Sequence, residues 1–345
     1  MKDLKEKIEK KTKKYLRMLS EPYKLLEKAD KLRKRGSGDI VTFVINRNIN
    51  FTNLCYCNCT FCSFSRQDKF VIGLDVIKKK VKEAIEFGCT EVCIQGGLIP
   101  GADVNFYLSI LDAVRDTSDH VHIHAFSPME IYHMARNSRL EIEDVLEKLK
   151  SRGLNSIPGT AAEILDDNIR RKICPNKISS EQWIKVVTKA HELKIPTTAT
   201  MMYGHVESWK DRIRHILIIK EIQKRTKGFT EFIPLPFLWK NNELGKKVKG
   251  SCGFDDLLVI AISRVILHPV LKNIQASWVK LGIKLAQAAL HAGANDFGGT
   301  LMEEHISKAA GAKNYEFLTP AEIRDVIKRC GRIPKQRDTL YNLLE

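Results

Sequence analysis

Apolar positions over the first 36 residues recur at helical spacing. Ile8, Tyr15, Leu16 and Leu19 form one stripe and Leu25, Leu26, Ala29 and Leu32 a second, with Ser20 and Pro22 between them. Two amphipathic helices are predicted. After Gly36-Ser37-Gly38 the pattern changes to short runs rich in β-branched and aromatic residues that alternate with helical stretches. Strands are predicted at residues 41–51, 91–95, 121–126, 156–160, 197–203, 229–235, 273–279 and 295–297. Helical patterns at 75–87, 141–152, 180–193, 209–225 and 254–267 separate most of them. Such alternation implies an α/β fold with parallel strands. Eight strands suit a TIM-like (β/α)8 barrel, closed or nearly so, with its chemistry at the C-terminal strand ends. The predicted organisation is a helical N-terminal extension over 1–38 and a barrel with C-terminal helical elements over 39–345.

Composition adds exclusions. With 345 residues, 43% hydrophobic and 28% charged, the chain is an ordinary globular protein rather than a fibrous or disordered one. The longest apolar stretch, 257–267, is cut by Ser263 and Arg264, and the N-terminus alternates charges where a leader peptide would be apolar. No membrane span is predicted, and the cytoplasm is the expected compartment. Lys and Arg exceed Asp and Glu by 57 to 41, a net charge of +16, of which the first 36 residues supply 14 against 6. We read this basic segment as a solvated pair of helices on the outside of the barrel, ahead of a partner-docking or polyanion-binding arm. With neither paired zinc-finger spacing nor an RNP-like aromatic pattern, nucleic acid is not an expected partner.

The candidate chemistry begins with cysteine. Nine cysteines without a leader peptide argue for metal or redox use rather than a disulfide framework. Four lie within Cys55-Tyr56-Cys57-Asn58-Cys59-Thr60-Phe61-Cys62, directly after the first strand. Cys55, Cys59 and Cys62 give C-x3-C-x2-C, and Cys57 falls outside that register. Three thiolates on one short loop can each hold one iron of a [4Fe-4S] cluster, leaving the fourth iron open to a small molecule. The alternative, structural zinc, wants four ligands, usually as two separated pairs, and no second C-x2-C pair exists.

This cysteine loop after the first strand of a βα chain, with aromatic Phe61 before the third cysteine, resembles the radical S-adenosylmethionine (SAM) superfamily. The resemblance implies that SAM chelates the open iron, that Phe61 lies near the adenine, and that the strand-two end Gln95-Gly96-Gly97 meets the SAM amino group. Segments including INRNINFTNLC, EVCIQGG, HIHAFSPMEI, SIPGTAAEILDD, TATMMYGHVE, IQASWVKLG and GANDFGGTLMEE, spread over residues 41–304, narrow it further. Together they are similar to the FO synthase subunit 2 family of deazaflavin (coenzyme F420) biosynthesis, which are 5-amino-6-(D-ribitylamino)uracil–L-tyrosine 4-hydroxyphenyl transferases. This closer resemblance implies a transferase that uses a 5′-deoxyadenosyl radical to fragment L-tyrosine and adds its 4-hydroxybenzyl group to 5-amino-6-(D-ribitylamino)uracil. It also implies FO synthase subunit 1 as partner and an electron donor such as ferredoxin or flavodoxin.

Barrel geometry and resemblance together place Gln95, Gly96, Gly97, Glu163, Tyr203, His205 and Asp296 around SAM and substrate, at or just past C-terminal strand ends. Glu163 and Tyr203 are candidate cofactor contacts. His205 could hold or deprotonate a substrate group, and Asp296 could hold an amine or hydroxyl by a charge-assisted hydrogen bond. Turn and capping chemistry is the competing account of all of them. Two further readings stay open. One is a futalosine-pathway radical SAM enzyme of menaquinone synthesis, which shares much of the cysteine-loop wording. The other is a metal-dependent TIM-barrel hydrolase built on His122, His124, His205 and Asp296, which leaves the cysteines idle.

Overall fold

The computed structural model describes residues 2–312 and 317–344. Its strands are β1 (Ile40–Val44), β2 (Asn46–Asn50), β3 (Glu91–Gln95), β4 (His122–Ala125), β5 (Thr197–Tyr203), β6 (Phe229–Pro236), β7 (Asp296–Gly299) and β8 (Ile333–Gln336). They pair only in parallel, in three sheets ordered β7-β1-β8, β2-β3-β4 and β5-β6. Isolated parallel bridges join the sheets. His124–Ser156 and Ile157–Thr197 connect β4 to β5, and Phe232–Ile274 and Gln275–Asp296 connect β6 to β7. The circuit is completed through the chain itself, because β1 and β2 form one run interrupted at Ile45.

Three sequence expectations change here. The run at 41–51 divides where its neighbours change, with β1 between β7 and β8 and β2 against β3. The strands at 156–160 and 273–279 are reduced to bridges. Pro158 cannot donate to a ladder, and side-chain hydroxyls of β5 substitute for it. Gly159 N–H donates to Thr198 Oγ1 at 2.8 Å, and Thr200 Oγ1 donates to the Gly159 carbonyl at 2.8 Å. After Gln275 the chain turns into the short helix Trp278–Leu281. Finally, β8 was not expected. Its sequence, Ile-Pro-Lys-Gln, carries a proline tolerated only at an edge.

Helices surround the strands and bury one stripe each. Ile77, Val81 and Ala84 of helix Leu74–Glu86 and Val145, Leu146 and Leu149 of helix Ile142–Ser151 are buried at helical spacing, in one core with Val92, Ile94 and Ile123 of the strands. The N-terminal extension forms α1 (Lys2–Met18) and α2 (Pro22–Ser37). The first lies on helix Trp209–Thr226, where Glu9 pairs with Lys210 at 2.7 Å and Arg214 at 2.5 Å, and Lys11 with Glu221 at 3.0 Å. The second packs on helix Gly253–Leu267 and buries Leu25, Ala29 and Arg33. The extension is thus docked on the barrel's outside along one face of each helix.

The C-terminal segment crosses the opposite end of the barrel. Arg337 N–H donates to the Phe43 carbonyl at 2.9 Å, and Tyr341 Oη donates to Glu231 Oε2 at 2.7 Å, so residues after β8 close the floor beneath the strands.

Candidate active site

Side chains alternate across each strand, and the inward set is Asn46, Asn48 and Asn50 of β2, Glu91, Cys93 and Gln95 of β3, Thr198, Thr200 and Met202 of β5, and Glu231, Ile233 and Leu235 of β6. These line one cavity of about 430 Å³. The cysteine loop forms its rim at the C-terminal end of β2. Two residues pin the ends of that loop. Thr52 Oγ1 donates to the Phe70 carbonyl at 2.7 Å and accepts from Leu54 N–H at 3.0 Å. Asn53 accepts from Phe70 N–H at 3.0 Å and donates to the Asp68 carbonyl at 2.8 Å.

Cys55, Cys59, Cys62, Phe61, Gln95, Gly96, Gly97 and Glu163 all line this cavity. The glycines are required by close packing. A Cβ on Gly97 would stand 2.1 Å from the Leu54 carbonyl oxygen, and one on Gly96 2.6 Å from the Phe51 ring. Strand end and cysteine loop therefore touch backbone to backbone. The Gly97 N–H is used by the Thr52 carbonyl at 2.8 Å and the Gly96 N–H by Glu130 Oε1 at 3.1 Å. Gln95 Oε1 accepts from Thr160 Oγ1 at 3.2 Å.

The electrostatics of the rim centre on a cation that sequence reasoning missed. Lys177 Nζ sits 2.6 Å from Glu163 Oε1 and 5.2 Å from the centroid of the Phe61 ring. Burial works to raise the Glu163 carboxyl, but Lys177 overrides it and holds the group below its ordinary value. Among the thiols, Cys57 lies against Cys55, drawing the Cys55 thiol down to about 5 and pushing its own up. Burial raises the Cys59 thiol, and the Lys177 charge opposes it. Cys57 Sγ also points to the Asn176 carbonyl, 3.6 Å away.

Three predicted residues do not reach the cavity, and each is a correction. Tyr203 shares the parity of Ala199 and Met201, which face away from the inward Met202, and its ring lies 5.5 Å from the Arg212 guanidinium carbon. His205 is buried behind the end of β5, with Nδ1 2.9 Å from Glu207 Oε2 and Nε2 3.1 Å from the Met202 carbonyl. Glu207 also accepts from Arg212 at 2.7 Å, completing a structural network. Asp296 is buried at the start of β7, under the floor, where Arg337 Nε donates to it at 2.6 Å and Thr42 Oγ1 at 2.6 Å. The hydrolase constellation is dispersed for the same reasons. His122 and His124 both lean on Ser156 Oγ, at 2.7 and 2.6 Å. Among the described residues, no three His, Cys, Asp or Glu side chains are gathered around a single-ion position.

Residues 49–219 match the radical SAM superfamily model, and residues 226–345 match the model for the CofH/MqnC C-terminal region. A 5-amino-6-(D-ribitylamino)uracil–L-tyrosine 4-hydroxyphenyl transferase from Archaeoglobus fulgidus is 62% identical over 95% of this chain and 96% of its own length. The relative of the same name from Methanocaldococcus jannaschii is 54% identical over 94% and 93%. The chain belongs to this radical SAM transferase family. Solved structures agree on the fold. Methylornithine synthase aligns with a TM-score of 0.67 at 17% identity over 91% of this chain and 89% of its own. The FeFe-hydrogenase maturase HydG from Carboxydothermus hydrogenoformans aligns with 0.70 at 16% over 93% and 73%.

Radical SAM enzymes as a class use SAM and a [4Fe-4S] cluster, and the rim fits such groups. Three thiols share one loop, a buried cation stands beside them, and the cavity opens below. Although paired with Glu163, the Lys177 ammonium also acts on the Cys59 thiol and would moderate negative charge held at the loop. Besides Lys177, one more rim residue escaped sequence reasoning. Glu130 is held by a capping box with Ser127, a signature legible in Ser127-Pro-Met-Glu130, yet its carboxylate lines the cavity and burial pushes it up to about 7. Lys177 stands alone in a loop and carries no pattern.

Proposed function

We propose that this chain fragments L-tyrosine and transfers its 4-hydroxybenzyl group to 5-amino-6-(D-ribitylamino)uracil in deazaflavin biosynthesis; its relatives are named as 4-hydroxyphenyl transferases acting on this uracil and L-tyrosine. The observation that carries the reading is the joining, in one cavity, of the C-x3-C-x2-C rim with a polar floor, in a chain 62% identical to such a transferase. In this reading Cys55, Cys59 and Cys62 hold the cluster, and Phe61, Gln95, Gly96, Gly97 and Glu163 border SAM. When bound, these groups supply a 5′-deoxyadenosyl radical. The chain's own work is enclosure and orientation. The apolar stretch Ile233 to Leu235 and the helix bearing Trp278 keep water from the middle of the cavity. His124, Glu231 and Gln275 on the floor offer donors and acceptors to a polyol such as the ribityl chain. FO synthase subunit 1, a ferredoxin or flavodoxin donor and a cytoplasmic setting accompany this reading. Among the described residues no helix is long and apolar enough to cross a membrane.

The test is an anaerobic assay of the reconstituted protein with SAM, tyrosine, the diaminouracil and a one-electron reductant such as dithionite. Tyrosine-dependent formation of the benzylated uracil and 2-iminoacetate, alongside 5′-deoxyadenosine, is expected. Cleavage of SAM with tyrosine untouched, or turnover of a futalosine-derived substrate instead, would sink the proposal.

A further inference from the structure

Among the described residues, three full cations line the cavity. Lys177 is matched by Glu163 at 2.6 Å, and Arg337 by Asp296 at 2.6 Å. The third, Lys280 on helix Trp278–Leu281, has no carboxylate within 4 Å among the described residues; its Nζ donates to Ser307 Oγ at 3.1 Å. Ser307 ties it to an anion at one remove. The Ser307 N–H donates to Glu304 Oε1 at 2.8 Å, and Asn48 Nδ2 donates to Glu304 Oε2 at 3.0 Å. Lys280, Ser307, Glu304 and Asn48 all face the same cavity. A partly buried ammonium separated from its nearest carboxylate by one serine is an unfinished arrangement, because burial of a charge is costly until a counter-charge arrives.

We infer that Lys280 and Glu304, held apart by Ser307, form a clamp for the amino-acid zwitterion of the substrate, Lys280 taking the α-carboxylate and Glu304 the α-ammonium of L-tyrosine. This rests on the function proposed above. Tyrosine is the zwitterion to be placed there, since the diaminouracil is neutral and the methionine part of SAM belongs at the cysteine loop. The two lysines differ in the charges that act on them. Both feel Glu163, but Lys177 also feels Cys59 and Cys174, whereas Lys280 feels Glu304 more strongly than Glu163. Burial lowers the Lys280 ammonium, which a bound carboxylate would offset. Truncation of a buried charge-assisted pair weakens binding by about 30-fold or more.

The test measures anaerobic equilibrium binding of three ligands to the holoenzyme with SAM: L-tyrosine, tyramine, which lacks the carboxylate, and 3-(4-hydroxyphenyl)propionate, which lacks the ammonium. Wild type should prefer tyrosine to both analogues. Lys280→Met should weaken tyrosine by about 30-fold and erase its advantage over tyramine, with Lys280→Arg recovering part of it. Glu304→Gln should instead erase the advantage over the propionate. Circular dichroism and cluster absorbance identify any variant that has not folded, and Ser307→Ala, which keeps both charges, then carries the test with a smaller loss of the tyrosine preference. Tyrosine affinity within about 3-fold of wild type in Lys280→Met, or an equal loss for tyramine, overturns the clamp while leaving the proposed function intact. A loss confined to SAM affinity overturns it too, by assigning Lys280 to the cofactor. Wild type that binds no tyrosine would sink the function itself and the clamp with it.

Discussion

The rim and the floor of the barrel are both rich in charge, and they treat it in opposite ways. On the floor the charges face one another. Arg337 lies 2.6 Å from Asp296 and 3.9 Å from Glu231, Glu231 also accepts from Tyr341 at 2.7 Å, and the imidazoles of His122 and His124 share Ser156. On the rim the groups are left partly unmatched, with free thiols at Cys55, Cys59 and Cys62 and an ammonium at Lys280 held only by a hydroxyl. A closed ion-pair network fixes the fold and has no unmatched charge left for a ligand, only the remaining hydrogen-bonding capacity of groups such as Glu231 and Gln275. Open valences cost stability and gain their partners on binding. This is the barrel rule that the C-terminal face carries chemistry and the N-terminal face stability, expressed as hydrogen-bond saturation.

The largest expected effects test the rim. In the proposed reading, replacing Cys55, Cys59 or Cys62 by Ala would leave one iron without its thiolate, so iron content, brown colour and turnover should all be lost. Cys57→Ser should keep the cluster; equal loss of iron in that variant would show that the register is wrong.

The floor responds in stability. Arg337→Met leaves Asp296 buried and unpaired, which should cost about 3–5 kcal/mol in denaturant unfolding of the apoprotein. A change below about 1 kcal/mol would mean that the floor is not a saturated network.

Glu130 sharpens the contrast through pH. Its folded pKa, raised by burial to about 7 from 4.5, means that the folded state binds the proton more tightly than the unfolded. Its stabilising contribution is therefore full below about 4.5 and lost as pH rises through 7, up to about 3 kcal/mol. Glu130→Gln should flatten that part of the stability profile relative to wild type, and an unchanged slope between pH 5 and 8 would contradict the buried assignment.

The outer surface supplies the next test. Removal of residues 1–36 uncovers the face of helix Gly253–Leu267 that Leu25, Ala29 and Arg33 cover. A lowered midpoint with retained SAM cleavage is expected, because the segment lies outside the cavity. Loss of cleavage in a folded, cluster-bearing truncation would place the segment in the site. The smallest effect is expected at His205, where His205→Gln should cost about 1–2 kcal/mol by disturbing Glu207. Product formation should stay within about 3-fold, a limit set by its separation from the cavity. A total loss of product would return His205 to the catalytic groups.

The sequence alone determined the elements whose information is local. Helical stripes are read from spacing, the place of the cysteine loop at the cavity from eight adjacent residues after a strand, and the Gly96-Gly97 strand end from its position after a β-rich run. These patterns survive folding because each residue's role is set by neighbours a few positions away. What only the tertiary structure decided depends on distant partners. Strand parity set Met202 inward and Tyr203 outward, a one-residue difference that hydrophobicity on both faces of a buried strand cannot reveal. Asp296 has the residue type and position of a rim carboxylate, but it lies at the start of β7 and meets Arg337 from 41 residues later in the chain. Lys177 and Lys280 are ordinary lysines in the sequence, and one is neutralised by Glu163 while the other is not. Whether a polar side chain is available for chemistry is decided by the partners that folding brings to it, and those partners are not its neighbours in sequence.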